Sequence, residues 1–265
     1  MKIVKYILAT SLLISSIFAS AAEQEANTLA ENNMAKGTDQ EANEWVKIVD
    51  SYRQFSESIK VTTRIQVINN GEKEKEKLYE VYIKPGRKSL VVFKSSGENG
   101  QKVLMLDNMF WLLMPKSPRP IRITPLQKLL GDATTGDIAT MSWHEDYDAV
   151  KESPVEIDGV KVDSVMLTAK VQGVSYKSIR LFLARESHKP LKAEFYVSSG
   201  KLAKYASFVI HNTGKREQII KMELTDAIQK GRVTLVEYLS NESYSIDDKY
   251  YNPQFLANDI TLKID

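Results

Sequence analysis

Two neighbouring runs, residues 103–107 (VLMLD) and 109–114 (MFWLLM), are apolar at almost every position. They constrain the fold more than any other stretch. A strand with one face in water alternates apolar and polar residues, so the consecutive Phe110, Trp111, Leu112 and Leu113 need apolar cover on both sides of their sheet. In a mostly antiparallel protein that cover is a second sheet, a helix laid across a curved sheet, or a bound apolar ligand.

The rest of the chain supplies such a sheet. Short strand-like runs recur at 60–69, 78–84, 89–95, 155–157, 160–171, 175–185, 191–197, 201–210, 216–224 and 232–239. Asn70-Gly71, Pro85-Gly86, Gly97 to Gly100, Asp158-Gly159 and Ser199-Gly200 separate them as turns. With the central pair these are twelve runs, read as about eleven strands joined by tight connections, the pattern of a sandwich or barrel. Ahead of them Trp45, Ile48, Val49, Tyr52, Phe55 and Ile59 recur at three- and four-residue steps. That spacing predicts a helix over residues 42–58 with one apolar face laid on the sheet.

The start of the chain reads as an export signal over residues 1–21: Lys2 and Lys5, an apolar run over 7–18, then Ala19-Ser20-Ala21. Residues 22–43 are polar and almost free of large apolar side chains, as in a flexible linker. Residues 44–265 are expected to form a single β domain. With no cysteine in the chain, disulfides, thiolate metal sites and lipid attachment through a cysteine are excluded. An exported chain of that kind points to the periplasm. The formal net charge of +2 falls to zero once the signal is removed. That balance gives no electrostatic reason to expect nucleic acid as a partner.

Catalytic patterns are sparse. There is no G-x-S-x-G turn or phosphate-cradling glycine loop, and His144, His188 and His211 fall in unrelated segments without ligand-spaced companions. In His144-Glu145-Asp146 adjacent side chains point apart, so one metal does not easily collect all three. Asp137, after Gly136, reads as a helix cap more readily than as an acid catalyst. An enzyme is not expected, and no cofactor or metal is implied. The alternative of an unrecognised enzyme would rest on His144 or Asp137.

The order of Trp111, Met114-Pro115, the basic loop with Lys116, Arg119 and Arg122, then Ile121-Arg122-Ile123-Thr124-Pro125, Leu129-Leu130-Gly131 and Gly136-Asp137-Ile138 resembles the outer-membrane lipoprotein-sorting (LolA-like) family. The resemblance implies a mainly β protein with helices (α+β): a half-open, curved antiparallel β-barrel with a helical lid over a lipid-binding cavity. On that implication Val91, Phe93, Leu104, Leu106, Trp111 and Leu113 line the cavity, with residues 42–58 and the segment around Met141 and Trp143 as lid. Met105, Met109, Met114 and Met141 suit an adaptable apolar surface. Lys116, Arg119 and Arg122 are candidates for contact with a partner or a lipid headgroup.

The function so implied is a periplasmic carrier. It takes the acyl chains of a lipoprotein or lipid from an inner-membrane transporter and ferries them toward an outer-membrane acceptor. The alternatives are a lipid-sensing regulator or accessory subunit of a lipid exporter with the same fold, and a sandwich with a solid core.

Overall fold

The computed structural model describes residues 39–257 except Pro118, Thr140, Met141, Lys215, Gln229 and Lys230. The expected export signal, and the expected linker as far as residue 38, lie outside the described residues, as does Met141.

A helix, α1 (Gln40–Ser51), precedes a long run of strands. These are β1 (Ile59–Asn69), β2 (Glu72–Lys84), β3 (Lys88–Phe93), β4 (Lys102–Leu106), β5 (Met109–Leu113) and β6 (Ile121–Ile123). The short pair β7 (Lys128–Leu130) and β8 (Ala133–Thr134) follows, with the one-turn helices α2 (Thr135–Ile138) and α3 (Trp143–Asp146). Then come β9 (Tyr147–Ile157), β10 (Val160–Ala169), β11 (Ser178–Ala184), β12 (Pro190–Tyr196), β13 (Leu202–Asn212), β14 (Glu217–Asp226) and β15 (Arg232–Ser243). Two 3-10 turns, Asp248–Tyr251 and Pro253–Phe255, follow β15.

Thirteen strands form one antiparallel sheet in the order β6-β5-β4-β3-β2-β1-β15-β14-β13-β12-β11-β10-β9, with β7 and β8 as a separate pair. The sheet is open, with β6 and β9 as unjoined edges, and its strands outnumber the eleven expected. Among the thirteen, β6 matches no run read from the sequence: it is three residues long, below the length at which alternation can be read, as are β7 and β8 outside this sheet. β9 extends the expected 155–157 run back to Tyr147 across Pro154, which reads as a break but is tolerated where a strand pairs on one side only; here that partner is β10.

The open sheet still curls strongly. β2 and β9 stand eight strand spacings apart in the sheet, about 38 Å if it were flat, yet Val81 from β2 and Tyr147 from β9 line one cavity. Side chains tie the two ends. Arg87, in the β2–β3 turn, donates through Nη2 to Asp146 Oδ2 at 3.0 Å and through Nη1 to Glu145 Oε2 at 2.8 Å. Asn108 Nδ2, in the β4–β5 turn, donates to the Gln172 carbonyl at 3.3 Å.

The central pair is covered on both faces, as its composition requires. Val91, Val103, Met105 and Phe110 join a large cluster on the face that carries α1, α2 and α3. Leu90, Leu104 and Leu113 turn the other way, into a second cluster closed by Ile246, Tyr251 and Leu256 from the C-terminal 3-10 segment.

Helix α1 is shorter than the spacing predicts and starts two residues earlier. Asp39 Oδ1 accepts the Ala42 amide at 3.0 Å as its N-cap, and the helix stops at Ser51, so residues 52–58 run on as irregular chain. Its buried face is Ala42, Val46, Val49 and Asp50, while Ile48 points outward. It also serves the sheet edge, because the Ala149 and Lys151 amides of β9 donate to Asn43 Oδ1 and Asp39 Oδ2, both at 3.2 Å. Edge amides that would otherwise template another strand are thereby occupied.

The Leu129-Leu130-Gly131 motif is fixed by close packing. Gly131 has φ +56, and a Cβ there would lie 2.3 Å from Thr234 Oγ1 and 2.8 Å from Val67 Cγ2. Only glycine meets both the backbone and the space.

Candidate functional site: an apolar cavity under the helical face

Between the curled sheet and residues 52–55, α2 and α3 lies a cavity of about 240 Å³. Val61, Val81, Ile83, Phe195, Phe208, Ile219 and Met222 supply its apolar wall; Tyr52, Phe55 and Trp143 stand on the helical side. The volume sits just under the roughly 300–1,000 Å³ of drug-sized pockets. It suits one slender chain unless its walls part.

Two polar clusters lie on the helical side, the first entering the cavity wall and the second outside it. In the first, Asp137 closes α2 as a capping-box residue, its Oδ2 accepting from the Thr134 amide at 2.7 Å and the Thr134 hydroxyl at 2.8 Å. Lys204 of β13 donates to the same oxygen at 2.5 Å and to the Asp132 carbonyl at 2.9 Å, and the Tyr176 hydroxyl donates to Asp137 Oδ1 at 3.2 Å. Lys204 and Asp137 are both buried, so this is a desolvated ion pair whose oxygens and protons are used within the protein. Burial pushes the Tyr176 hydroxyl well above its ordinary range. Asp137 is a cap, as its sequence context indicates.

The second cluster surrounds Asp50, near the end of α1. Its Oδ2 accepts from the His144 amide and lies against His144 Nδ1, both at 2.9 Å, and the Ser142 hydroxyl donates to it at 3.3 Å. These contacts fasten α1 to α3. His144 faces Asp50 while Glu145 and Asp146 face Arg87. Among the described residues no group of three His, Cys, Asp or Glu side chains is placed to hold a metal ion.

The hydrogen bond that Asp50 accepts from the imidazole raises the His144 pKa, against a smaller lowering by burial and with further help from the Asp50 and Glu145 charges; Lys47 opposes. The folded pKa thus lies above the unfolded value of about 6.5. The stability it contributes is fully present below that value and is lost as pH rises through the folded pKa. Thermal melts between pH 5.5 and 8.5 should show the wild type losing more stability toward high pH than His144→Gln, in which this part of the slope vanishes. Parallel slopes would show that the pair has no linkage to folding.

The residues expected to line one cavity are divided by the sheet. Trp143 lines the cavity. Val91 and Phe93 belong to the same-face cluster without being cavity-lining residues. Leu104, Leu106, Trp111 and Leu113 are on the opposite face, under the C-terminal segment. The correction follows from pleating. Cross-strand partners share a face, so Leu90, Leu104, Trp111 and Arg122 form one row through β3, β4, β5 and β6, and Val91, Val103 and Leu112 form the neighbouring row on the other side.

The basic loop is exposed and outside the cavity. Lys116 and Arg119 reach solvent, and the Arg122 guanidinium stacks 4.7 Å over Trp111 at the β6 edge.

Several lining residues carried no sequence signal as a set: Tyr176, Phe195, Phe208, Met222 and Tyr238 sit on four strands and a loop, brought together only by the curl. Tyr52 and Phe55 did carry one, since they extend the apolar stripe of α1.

Comparisons with known proteins agree with this architecture. A LolA superfamily protein from Nitrosomonas europaea superposes with a TM-score of 0.73 at 26% identity, covering 81% of this chain and 98% of that one. A DUF1329 family protein from Desulfovibrio piger gives 0.68 at 17% identity, covering 83% and 100%. A domain from Vibrio parahaemolyticus described as belonging to an outer membrane lipoprotein-sorting protein gives 0.66 at 17%, covering 82% and 99%. No curated protein sequence matches significantly. A family model described as "Uncharacterized protein" matches residues 86–258. The chain belongs to that family of uncharacterised proteins, and its fold is that of the LolA superfamily.

Proposed function

We propose that this protein is a periplasmic carrier that binds the acyl part of a lipid or lipoprotein in the cavity under residues 52–55, α2 and α3 and ferries it toward the outer membrane by binding alone. The observation that carries the reading is the cavity itself. A solid-core sandwich would have filled this space, whereas here aromatic and aliphatic side chains from β1, β2, β12, β13, β14 and β15 surround a void of about 240 Å³.

The physical need is clear. An acyl chain of about 14 methylenes exposes apolar surface costing roughly 11 kcal/mol in water, so unassisted transfer between membranes is slow. A cavity that shelters half of it removes about half of that cost, roughly 5–6 kcal/mol. The lipoprotein-sorting description of the Vibrio relative, with its shared fold, supports the same role. No helix among the described residues is long and apolar enough to cross a membrane.

Handover to an inner-membrane transporter and an outer-membrane acceptor would use a separate surface. At the β6 edge Ile121, Met109 and Met114 are exposed beside Lys116, Arg119 and Arg122, an apolar and basic margin fitted to an acidic partner or membrane surface.

The test is uptake of a fluorescent fatty acid by delipidated protein, followed by displacement with unlabelled lipid. Saturable, one-site uptake is expected. Fluorescence no higher than with a solid-core control of the same size would refute the carrier.

A further inference from the structure

We propose that the cavity is specific for a single-chain acyl amphiphile with an ionised head, a carboxylate or a phosphate, and that Arg53 holds that head. This rests on the carrier reading and goes further by naming the class of cargo.

Arg53 directly follows the last turn of α1, its amide donating to the Asp50 carbonyl at 2.9 Å, and its side chain lines the cavity with only 14% exposure. The guanidinium lies 3.9 Å over the Trp143 ring, which fixes its plane. Its Nη1 is buried and has no hydrogen-bond partner among the described residues. The nearest anion, Asp50 Oδ1, is 3.8 Å away, close enough to orient the charge but too far for a hydrogen bond. The other oxygen of Asp50 is committed to His144 and Ser142.

Three other arginines of the fold, Arg87, Arg180 and Arg216, are satisfied from within. Arg87 binds Asp146 and Glu145, Arg180 binds Glu152 and Glu194, and Arg216 donates to the Ser51 and Gln54 carbonyls. Arg53 instead keeps a buried donor without a hydrogen bond at the wall of the cavity.

An unmet buried donor is unfavourable, and a planar fork of N–H groups matches a carboxylate or phosphate in two parallel bonds. With the cation on one wall and Val81, Ile83, Phe195, Phe208 and Met222 around the rest, the cavity is complementary to a charged head joined to one hydrocarbon tail. The acylated end of a lipoprotein carries esters and amides with no ionised group beside its chains, so it would leave Arg53 unmatched.

The experiment measures displacement of a fluorescent fatty acid from the full, delipidated chain by palmitate, by a lysophosphatidate of equal chain length, and by the uncharged hexadecanol. The ionised ligands are expected to bind about tenfold or more tightly than the alcohol, the scale of a charge-assisted hydrogen bond; whichever of the two is tighter names the head. In Arg53→Gln the preference should disappear while affinity for the alcohol is unchanged, and Arg53→Lys, which keeps the charge and guards against a folding artefact, should retain part of it. Equal affinity of acid and alcohol for the wild type overturns the headgroup inference and leaves the carrier standing. A preference that survives in folded Arg53→Gln overturns the role of Arg53, and failure of every ligand to bind removes the carrier reading with it.

Discussion

Replacing Lys204 by alanine is expected to destabilise the protein by about 3–5 kcal/mol, the usual result of removing one partner from a buried ion pair. Lys204 is 4% exposed and bonds the Asp137 carboxylate at 2.5 Å. Its loss strands a buried negative charge that Thr134 and Tyr176 alone must solvate. For a domain of this size the fall in Tm should be roughly 10 °C, since the whole folding free energy is only about 5–15 kcal/mol. The double variant Lys204→Met with Asp137→Asn should recover much of the loss, because an isosteric neutral pair has no charge to desolvate and Asn retains a capping oxygen. Denaturant unfolding measures both. A single-variant loss below about 1 kcal/mol would mean that the pair is hydrated in solution.

Filling the cavity should abolish uptake without harming the fold. Thr63 on β1 lines the void, is fully buried, and has a hydroxyl with no partner among the described residues. Thr63→Phe removes that unsatisfied group and projects a ring into empty space. If the ring excludes about four methylenes, at ~0.8 kcal/mol each, affinity for an acyl chain should fall about a hundredfold. The Tm should stay within a few degrees of wild type, because overpacking costs arise only where space is lacking. Unchanged uptake by a folded Thr63→Phe protein would place the bound chain elsewhere on the molecule.

Local signals in the sequence reached the architecture further than the site. Turns at Asn70-Gly71 and Asp158-Gly159, both residues of each at positive φ, mark hairpins on chemistry alone. The consecutive apolar residues of β5 announced a sheet covered on both sides, and it is so covered. That same property hid the facing. In a strand apolar at every position nothing in the sequence distinguishes Val103 from Leu104, and a shift of one residue exchanges the faces. The second cover, Ile246, Tyr251 and Leu256 from the end of the chain, is a long-range partner that no local pattern specifies. Arg53 sits between two members of the α1 stripe, Tyr52 and Phe55, and carries no pattern of its own. Its importance comes from what surrounds it, Trp143 above and Asp50 beside it, and those contacts exist only once α1 and α3 are docked.

The most direct measurement is native mass spectrometry, with lipid extraction, of the protein purified without detergent from the cells that make it. A co-purifying acyl species at one per chain, absent from Thr63→Phe prepared in parallel, is the expected result. A clean apo mass for the wild type, together with no uptake of fluorescent fatty acid after purification, would contradict it and leave the cavity as an unfilled packing defect of a binding-inert sheet.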